Sequence, residues 1–444
     1  MTRLITWYGD DFTGSAAVME VLAFAGIETV LFSDIPSDAM MARFAGCRAV
    51  GIASTARTHG PDWMEAHLPA PFRFLHGLGA PILHYKVCST FDSAPDSGNI
   101  GRAIEIGLEI TGAKAAPLLV AAPQMRRYQA FGHLFAGSFD GVFRLDRHPV
   151  MSRHPVTPMD ESDLLAHLTL QTDLKGAVID LEALWSDHGP ALEEALAQEA
   201  RILSVDCMDP GSEAAAGRLI WENRDVLGFA AGSQGVEYAL VRHWQQTGVI
   251  PAAPVAQGAG RVDQIAVVSG SVSPSTARQI DWADAHGFAV IRFDAVRALQ
   301  DESAEVARCV AEGIAAAGRG LSPLICSATG PDDPAVADLR AATNDMAKAN
   351  GMIGTALGRI LDGILRATGL RRAVISGGDT SGHGMRALGL EALQAIAPTI
   401  PGAALNVAYG AGPHDGLEIA LKGGQMGSED FFGWIREGGG PRQA

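Results

Sequence analysis

Leu4-Ile5-Thr6-Trp7-Tyr8-Gly9-Asp10-Asp11-Phe12-Thr13-Gly14-Ser15 decides how this chain is read. Its short apolar run predicts a strand. Gly9 ends the run, and two adjacent carboxylates and small hydroxyl residues come next. The period then changes. Val18, Met19, Leu22 and Ala25 fall at helical spacing, with Gly26 after them as a cap. The two acids therefore lie on a tight turn from the carboxyl end of a strand to the amino end of a helix. In open α/β sheets that edge is where ligands bind. A helix cap is the ordinary role of one such acid. Two together repel, so one should hold its proton more tightly unless a cation compensates. Asp10 and Asp11 are thus candidates for a general base and its orienting neighbour.

Working outward, the first half alternates strand-like and helix-like patches. Strand candidates are Thr29 to Phe32, Ala49 to Ala53, Pro81 to Val87 and Pro117 to Pro123. They continue at Gly176 to Asp180, Ile202 to Asp206 and Val226 to Ala231. Strands separated by helical stretches imply a parallel sheet whose carboxyl ends share one rim. Asp10, Asp11, Arg57, Lys86, Ser89, Thr90 and Arg127 would then converge. Two acids facing several cations and hydroxyls suit a small polyhydroxy carboxylate, held by an arginine fork. Each Lys or Arg taken alone is an ordinary solvated charge; the grouping is what points to a ligand. His133 and His154 lie in Pro- and Gly-rich stretches that read as loops, with no metal-ligand spacing. They are open either to polar contact with substrate or to packing within a loop.

At 444 residues the chain has room for two domains. Pro, Ala and Gly dominate residues 249–261, which read as a linker. This divides an amino-terminal domain over 1–248 from a carboxyl-terminal domain over 262–444. The expected class is α/β, each domain having a mainly parallel sheet flanked by helices. Apolar residues make up 47%, enough for buried cores. With 34 basic and 50 acidic residues the net charge is −16, which argues against nucleic acid or an anionic membrane as partner. An anionic small molecule needs only local cations. The five scattered cysteines form no CxxC pair, and no apolar run reaches spanning length. A reduced, cytoplasmic setting is expected. A homodimer is left open.

The second half carries three Gly-rich turns after apolar runs: Ser269-Gly270-Ser271-Val272-Ser273, Gly377-Gly378-Asp379-Thr380-Ser381 and Lys422-Gly423-Gly424. Glycine lets backbone approach a ligand, and free amides at a helix start bind phosphate. One such turn is an ordinary loop; three in one domain point to a phosphate cradle. The P-loop pattern is missing, as is a dinucleotide fingerprint after the first strand. Asp379 could reach a ribose hydroxyl or a Mg2+-bound water, or cap the next helix. Acids and cations in one half and anion-binding turns in the other are the parts that phosphoryl transfer requires.

With these residues in view the chain resembles the four-carbon acid sugar kinase family, formerly a domain of unknown function. The resemblance rests on Gly9 to Gly14, Lys86 to Ser93, Gly132-His133-Leu134, His154 to Met159 and the three Gly-rich turns, in the family's order. It implies an ATP-dependent kinase of sugar acids such as threonate, erythronate or their 3-oxo forms, with ATP and Mg2+ on the carboxyl-terminal domain. By resemblance Ser271, Gly377, Gly378, Asp379, Thr380 and Gly424 contact ATP, with Ser273 beside them. Asp10, Asp11, Lys86 and Arg127 line the acid site, with Arg57, Ser89 and His133 as further candidates. Gly9 and Ser15 flank the acid pair where many members carry Ala. The segment Phe91 to Asp96 also departs from members with a Leu-Arg-Gly run, and both departures leave the exact acid open; the chain looks closest to a subgroup associated with branched or 3-oxo acids such as 3-oxo-isoapionate. Two rivals remain: a sugar-acid sensor without chemistry, and an NAD-dependent dehydrogenase. ATP binding separates the first, and the missing fingerprint weighs against the second.

Overall fold

In the computed structural model, which describes residues 2–442 apart from 139 and 155, the opening run forms strand β1 (Ile5–Gly9). All five of its residues are buried, as expected of a strand covered on both faces. The chain divides into two units, residues 1–254 and 255–444.

In the first unit β1 is joined by β2 (Thr29–Phe32), β3 (Ala49–Ala53), β4 (Leu83–Lys86) and β5 (Ala116–Leu119). Three short strands come next, β6 (Arg127–Ala130), β7 (His133–Ser138) and β8 (Gly141–Arg144). Then come β9 (Gly176–Ile179), β10 (Ile202–Val205) and β11 (Phe229–Gly232). The main sheet has the order β2-β3-β1-β4-β11-β5-β10-β9, and every pairing in it is parallel. Helices such as Phe12–Phe24, Ile100–Thr111 and Gly235–Thr247 make the crossovers. The last two end on left-handed glycines, Gly112 and Gly248, which satisfy the final carbonyls without a Cβ clash. Ile5, Trp7, Val50, Ile52, Leu118 and Phe229 fill the core at 2% exposure or less.

The stretch after Gly132, expected to be loop, is instead strand β7. It is the centre of an antiparallel sheet in the order β6-β7-β8. Burial alternates over its first four residues, the mark of a sheet with one covered face. Asp206, just past β10, holds the preceding turn by accepting from the backbone N–H groups of Phe131 and Gly132, at 2.5 and 3.0 Å.

The second unit contains β12 (Ala266–Ser269), β13 (Phe288–Arg292), β14 (Ser322–Cys326), β15 (Arg372–Ser376), β16 (Leu390–Ala397), β17 (Leu405–Gly410) and β18 (Leu417–Lys422). Its order is β13-β14-β12-β15-β18-β17-β16. The first five strands pair in parallel, and β16-β17-β18 is an antiparallel meander. Ile265, Val267, Phe288, Leu324, Val374, Phe431 and Phe432 form its core with helices Pro274–Asp284 and Phe431–Arg436. Among the described residues, no helix is long and apolar enough to cross a membrane.

Candidate functional site

The parallel register of the first unit sets β1, β3 and β4 side by side, with Gly9 level with Ala53 and Lys86. The residues just past each strand therefore meet at one rim. Asp10 donates its backbone N–H to the Lys86 carbonyl at 2.9 Å, and its own carbonyl accepts from the Arg57 N–H at 3.0 Å. The turn is thus pinned on both sides before any side chain acts.

Arg57 then forks Asp10, Nε to Oδ2 at 3.0 Å and Nη2 to Oδ1 at 2.6 Å. The same Nη2 reaches Asp11 Oδ1 at 2.7 Å. One guanidinium so bridges both acids, a strong charge-assisted geometry. The acids differ in access: the Asp10 side chain is 3% exposed and that of Asp11 28%. Burial pushes the Asp10 carboxyl above the usual carboxylate range, while Arg57 and then Lys86 pull it down and Asp11 adds to the rise. Asp11 also caps helix Phe12–Phe24 by accepting from the Gly14 N–H at 3.0 Å. Capping and membership of the acid cluster coexist in one side chain. Lys86 is buried, with Nζ donating to the Val87 carbonyl at 2.6 Å. A Cβ at Gly14 would meet Asp11 Oδ1 at 2.4 Å and Lys86 Nζ at 2.8 Å, so the ammonium and the helix's first turn share one small space.

The other sequence candidates have contacts of their own. Cys88 Sγ contacts Thr90 Oγ1 at 3.0 Å, and Thr90 donates to Asp92 Oδ1 at 2.7 Å. Ser89 is half-buried on the same loop. Arg127, half-buried at the start of β6, donates to the carbonyls of Met125, Arg126 and Gly137. It makes no ion pair among the described residues, and burial lowers its pKa, with Cys88 and Asp92 opposing. The two arginines therefore part company: Arg57 is committed to the acid pair, and the hydrogen bonds of Arg127 among the described residues go to backbone carbonyls. His133 contacts Ser162 Oγ through Nδ1 at 3.0 Å, on a strand rather than a loop.

In the second unit β12, β15 and β18 are neighbours, Ser269 being level with Ser376 and Ser376 with Lys422. The three Gly-rich turns therefore converge. Gly377 has φ +125°, a conformation that side chains resist, and it opens helix Gly378–Ala387, which includes Thr380. The Asp379 side chain lies outside the described atoms. Ser273 caps helix Pro274–Asp284 and donates its hydroxyl to the Gly424 carbonyl. A Cβ on Gly424 would come within 2.4 Å of Ser271 Oγ, so this approach requires glycine. Two further residues join that the site reading of the sequence did not single out. Thr276 Oγ1 bonds both Ser271 Oγ and the Gly424 carbonyl at 3.0 Å. Lys422 Nζ donates to Thr276 Oγ1 and to the Gly423 carbonyl, both at 3.2 Å. Lys422 is 1% exposed, and burial brings its pKa down to about 8. Its place directly before Gly423-Gly424, closing a strand, was the available signal. Among the described residues no group of three or more metal-ligating side chains occurs.

Comparison with known proteins gives the same division. A sugar-binding N-terminal domain family matches residues 5–240, and a nucleotide-binding C-terminal domain family matches 266–432. The chain is 46% identical over 447 aligned residues to a 3-oxo-isoapionate kinase of Paraburkholderia graminis, covering 98% of this chain and 94% of that one. It is 31% identical to a 3-oxo-tetronate kinase of Methylobacterium radiotolerans, covering 98% of each. A solved Salmonella typhimurium structure shares the fold with a TM-score of 0.79 at 24% identity, over 97% of this chain and 98% of that one. A Haemophilus influenzae structure gives 0.77 at 21%, over 97% and 99%.

Proposed function

We propose an activity from one premise: this chain belongs to the four-carbon acid sugar kinase family. It is a sugar-acid kinase. In our reading the donor is ATP and the acceptor is a hydroxyl of a branched 3-oxo sugar acid of the 3-oxo-isoapionate kind, the substrate named for the relative at 46% identity.

The observation that carries the mechanism is the unequal acid pair. Asp11 is the member open to a ligand, and Asp10 is buried in the Arg57 fork. Asp11 orients the acceptor hydroxyl and takes its proton as the oxygen attacks the γ-phosphorus and ADP leaves. Asp10 fixes Arg57, whose guanidinium bridges both carboxylates. Arg127, which makes no ion pair among the described residues, receives the substrate carboxylate. Ser89 and His133 offer polar contacts to the remaining oxygens.

On the second unit, Ser271, Ser273, Thr380 and the amides of Gly377, Gly378 and Gly424 cradle the phosphates. This donor set is hydroxyls and glycine amides, with Asp379 as the one acid on the turn in sequence. That suits a Mg2+ that would be held mainly through phosphate oxygens and waters. When bound, the ion neutralises charge on the β- and γ-phosphates.

The test is a coupled ADP-release screen over three- to six-carbon sugar acids and their 3-oxo forms. Turnover should be highest with a branched 3-oxo acid. ADP release with none of the panel, from a folded protein, would overturn the reading.

A further inference from the structure

Lys422 is the last residue of β18 before Gly423-Gly424, and the fold buries it almost completely. An ammonium has three protons to give. One goes to Thr276 Oγ1 and one to the Gly423 carbonyl, and the third has no acceptor among the described residues. No described carboxylate pairs with it either. Glu418, at the other end of β18, is bound to Arg372. Glu429 pairs with Arg278 of helix Pro274–Asp284, and Asp430 with Arg442. Asp281 and Asp284, further along that helix, are exposed. On helix Gly378–Ala387, Arg386 and His383 contact each other. Burial lowers the Lys422 pKa, the direction for a cation with no anion close enough to offset it. Ser376 is level with Lys422, and Ser269 with Ser376. Both serines are wholly buried, and neither hydroxyl has a hydrogen-bond partner among the described residues. Level residues of parallel neighbours share one face of a sheet. Three polar groups with unused hydrogen-bonding capacity therefore form one row, at the edge where the Gly-rich turns begin. Buried polar groups are nearly always paired, so this row lacks a polar partner.

We propose that Lys422 is a binding residue for the nucleotide, whose ammonium gives its third N–H to a phosphate oxygen and supplies the cradle with a buried positive charge. This rests on the kinase reading above and deepens it. Hydroxyls and glycine amides donate to phosphate but have no net charge, whereas a triphosphate brings several negative ones. An ammonium out of water meets them at lower dielectric, and so more strongly, than a solvated lysine would. The effect is mutual. A bound phosphate favours the charged lysine, so the proton is held more tightly with nucleotide than without it. Where the free protein has lost that proton, nucleotide binding takes one up from solvent. A lysine that only braced Thr276 and Gly423, out of reach of the phosphates, would give no such uptake.

The test is calorimetric binding of Mg2+-ATP to the full chain in two buffers of unlike ionisation enthalpy, which counts protons exchanged on binding. Thermal unfolding is measured alongside to confirm that each variant is folded. At about pH 9 the parent should take up about half a proton or more per ATP, and at about pH 7 much less. Lys422→Met should weaken ATP about tenfold at neutral pH, the scale of one hydrogen bond from a charged group, and should abolish the uptake. Lys422→Arg, always charged, should also abolish the uptake but bind ATP within about threefold of the parent. Sugar-acid affinity should be unchanged in both. Three results would each overturn the proposal: no uptake by the parent at about pH 9, equal uptake by Lys422→Met, or parent-like ATP affinity in folded Lys422→Met. If Lys422→Met does not fold, Lys422→Arg decides, and uptake persisting in it would overturn the proposal. Should neither variant fold, the parent's uptake decides alone. Failure of the parent to bind ATP at any pH would instead overturn the kinase reading.

Discussion

Asp11 is the acid whose removal should cost chemistry rather than binding. Asp11→Asn keeps the size and can still cap the helix, so the fold should survive. We expect kcat to fall by about 10²-fold or more, the usual span for a lost proton acceptor, with ATP affinity within about threefold of the parent. Steady-state kinetics with calorimetry check this, and equal loss of both would place Asp11 outside the chemistry. Lys422 predicts a pH effect of definite sign. Its pKa, about 8, lies below that of an unfolded lysine, and its protonated form is lost as pH rises through 8. KM for ATP should therefore climb above pH 8, and Lys422→Arg, which stays charged, should flatten the climb. Stability moves the other way. Above pH 8 the unfolded chain holds more protons at this position than the folded one, so this group favours folding increasingly until about the usual lysine pKa. Denaturant titrations across that window measure it. At this scale the sequence exposed the acid pair because strand, Gly and helix occur within a dozen residues. It did not expose the Arg57 fork or the Lys422 contact. Those partners are 47 and 146 residues apart, and only strand register joins them.

The element that most constrains the first unit is the pairing of β1 with β3. Trp7 lies level with Gly51, and a Cβ on Gly51 would fall 2.0 Å from the indole ring. The ring is wholly buried, so it has little room to retreat. Gly51→Ala should destabilise the protein by about 1–3 kcal/mol through overpacking, read as a lower midpoint in denaturant with an unchanged slope. A midpoint equal to the parent's would show that the indole can move. The parallel strands were legible because they are short, apolar runs bounded by turn residues. The two antiparallel pieces were not. In β7 only alternate residues are buried, and nearby Pro, Gly and His mask so short a pattern. Strands β16 and β17 mix Glu, Gln and Asn with apolar residues and pair through an irregular register, so no steady period survives.

For the whole molecule, the proposed function assigns each ligand to its own unit. ATP alone should slow amide exchange in the turns after β12, β15 and β18. A sugar acid alone should slow it at residues 9–15 and 86–93. At a hundredfold excess over Kd the stabilisation is about 2.7 kcal/mol, well within reach of exchange measured by mass spectrometry. Protection of the acid turn by ATP and of the Gly377 turn by the sugar acid would reverse the assignment. The division into two α/β units was readable from the Pro- and Ala-rich stretch and from the change of motif on either side. The meeting of Asp10, Arg57 and Lys86 was readable only as a consequence of parallel order. That order has an evolutionary corollary. Eight strands of the first unit point one way, so the loops that greet a ligand are all exits, and none is needed to align the strands. The exit after β4 carries both kinds of residue: Phe91 and Ser93 are locked into the interior, whereas Ser89 is only half-buried, so selection can recharge the half-buried positions without retuning the interior. A new acid preference is then reachable by few mutations, on a scaffold that need not change.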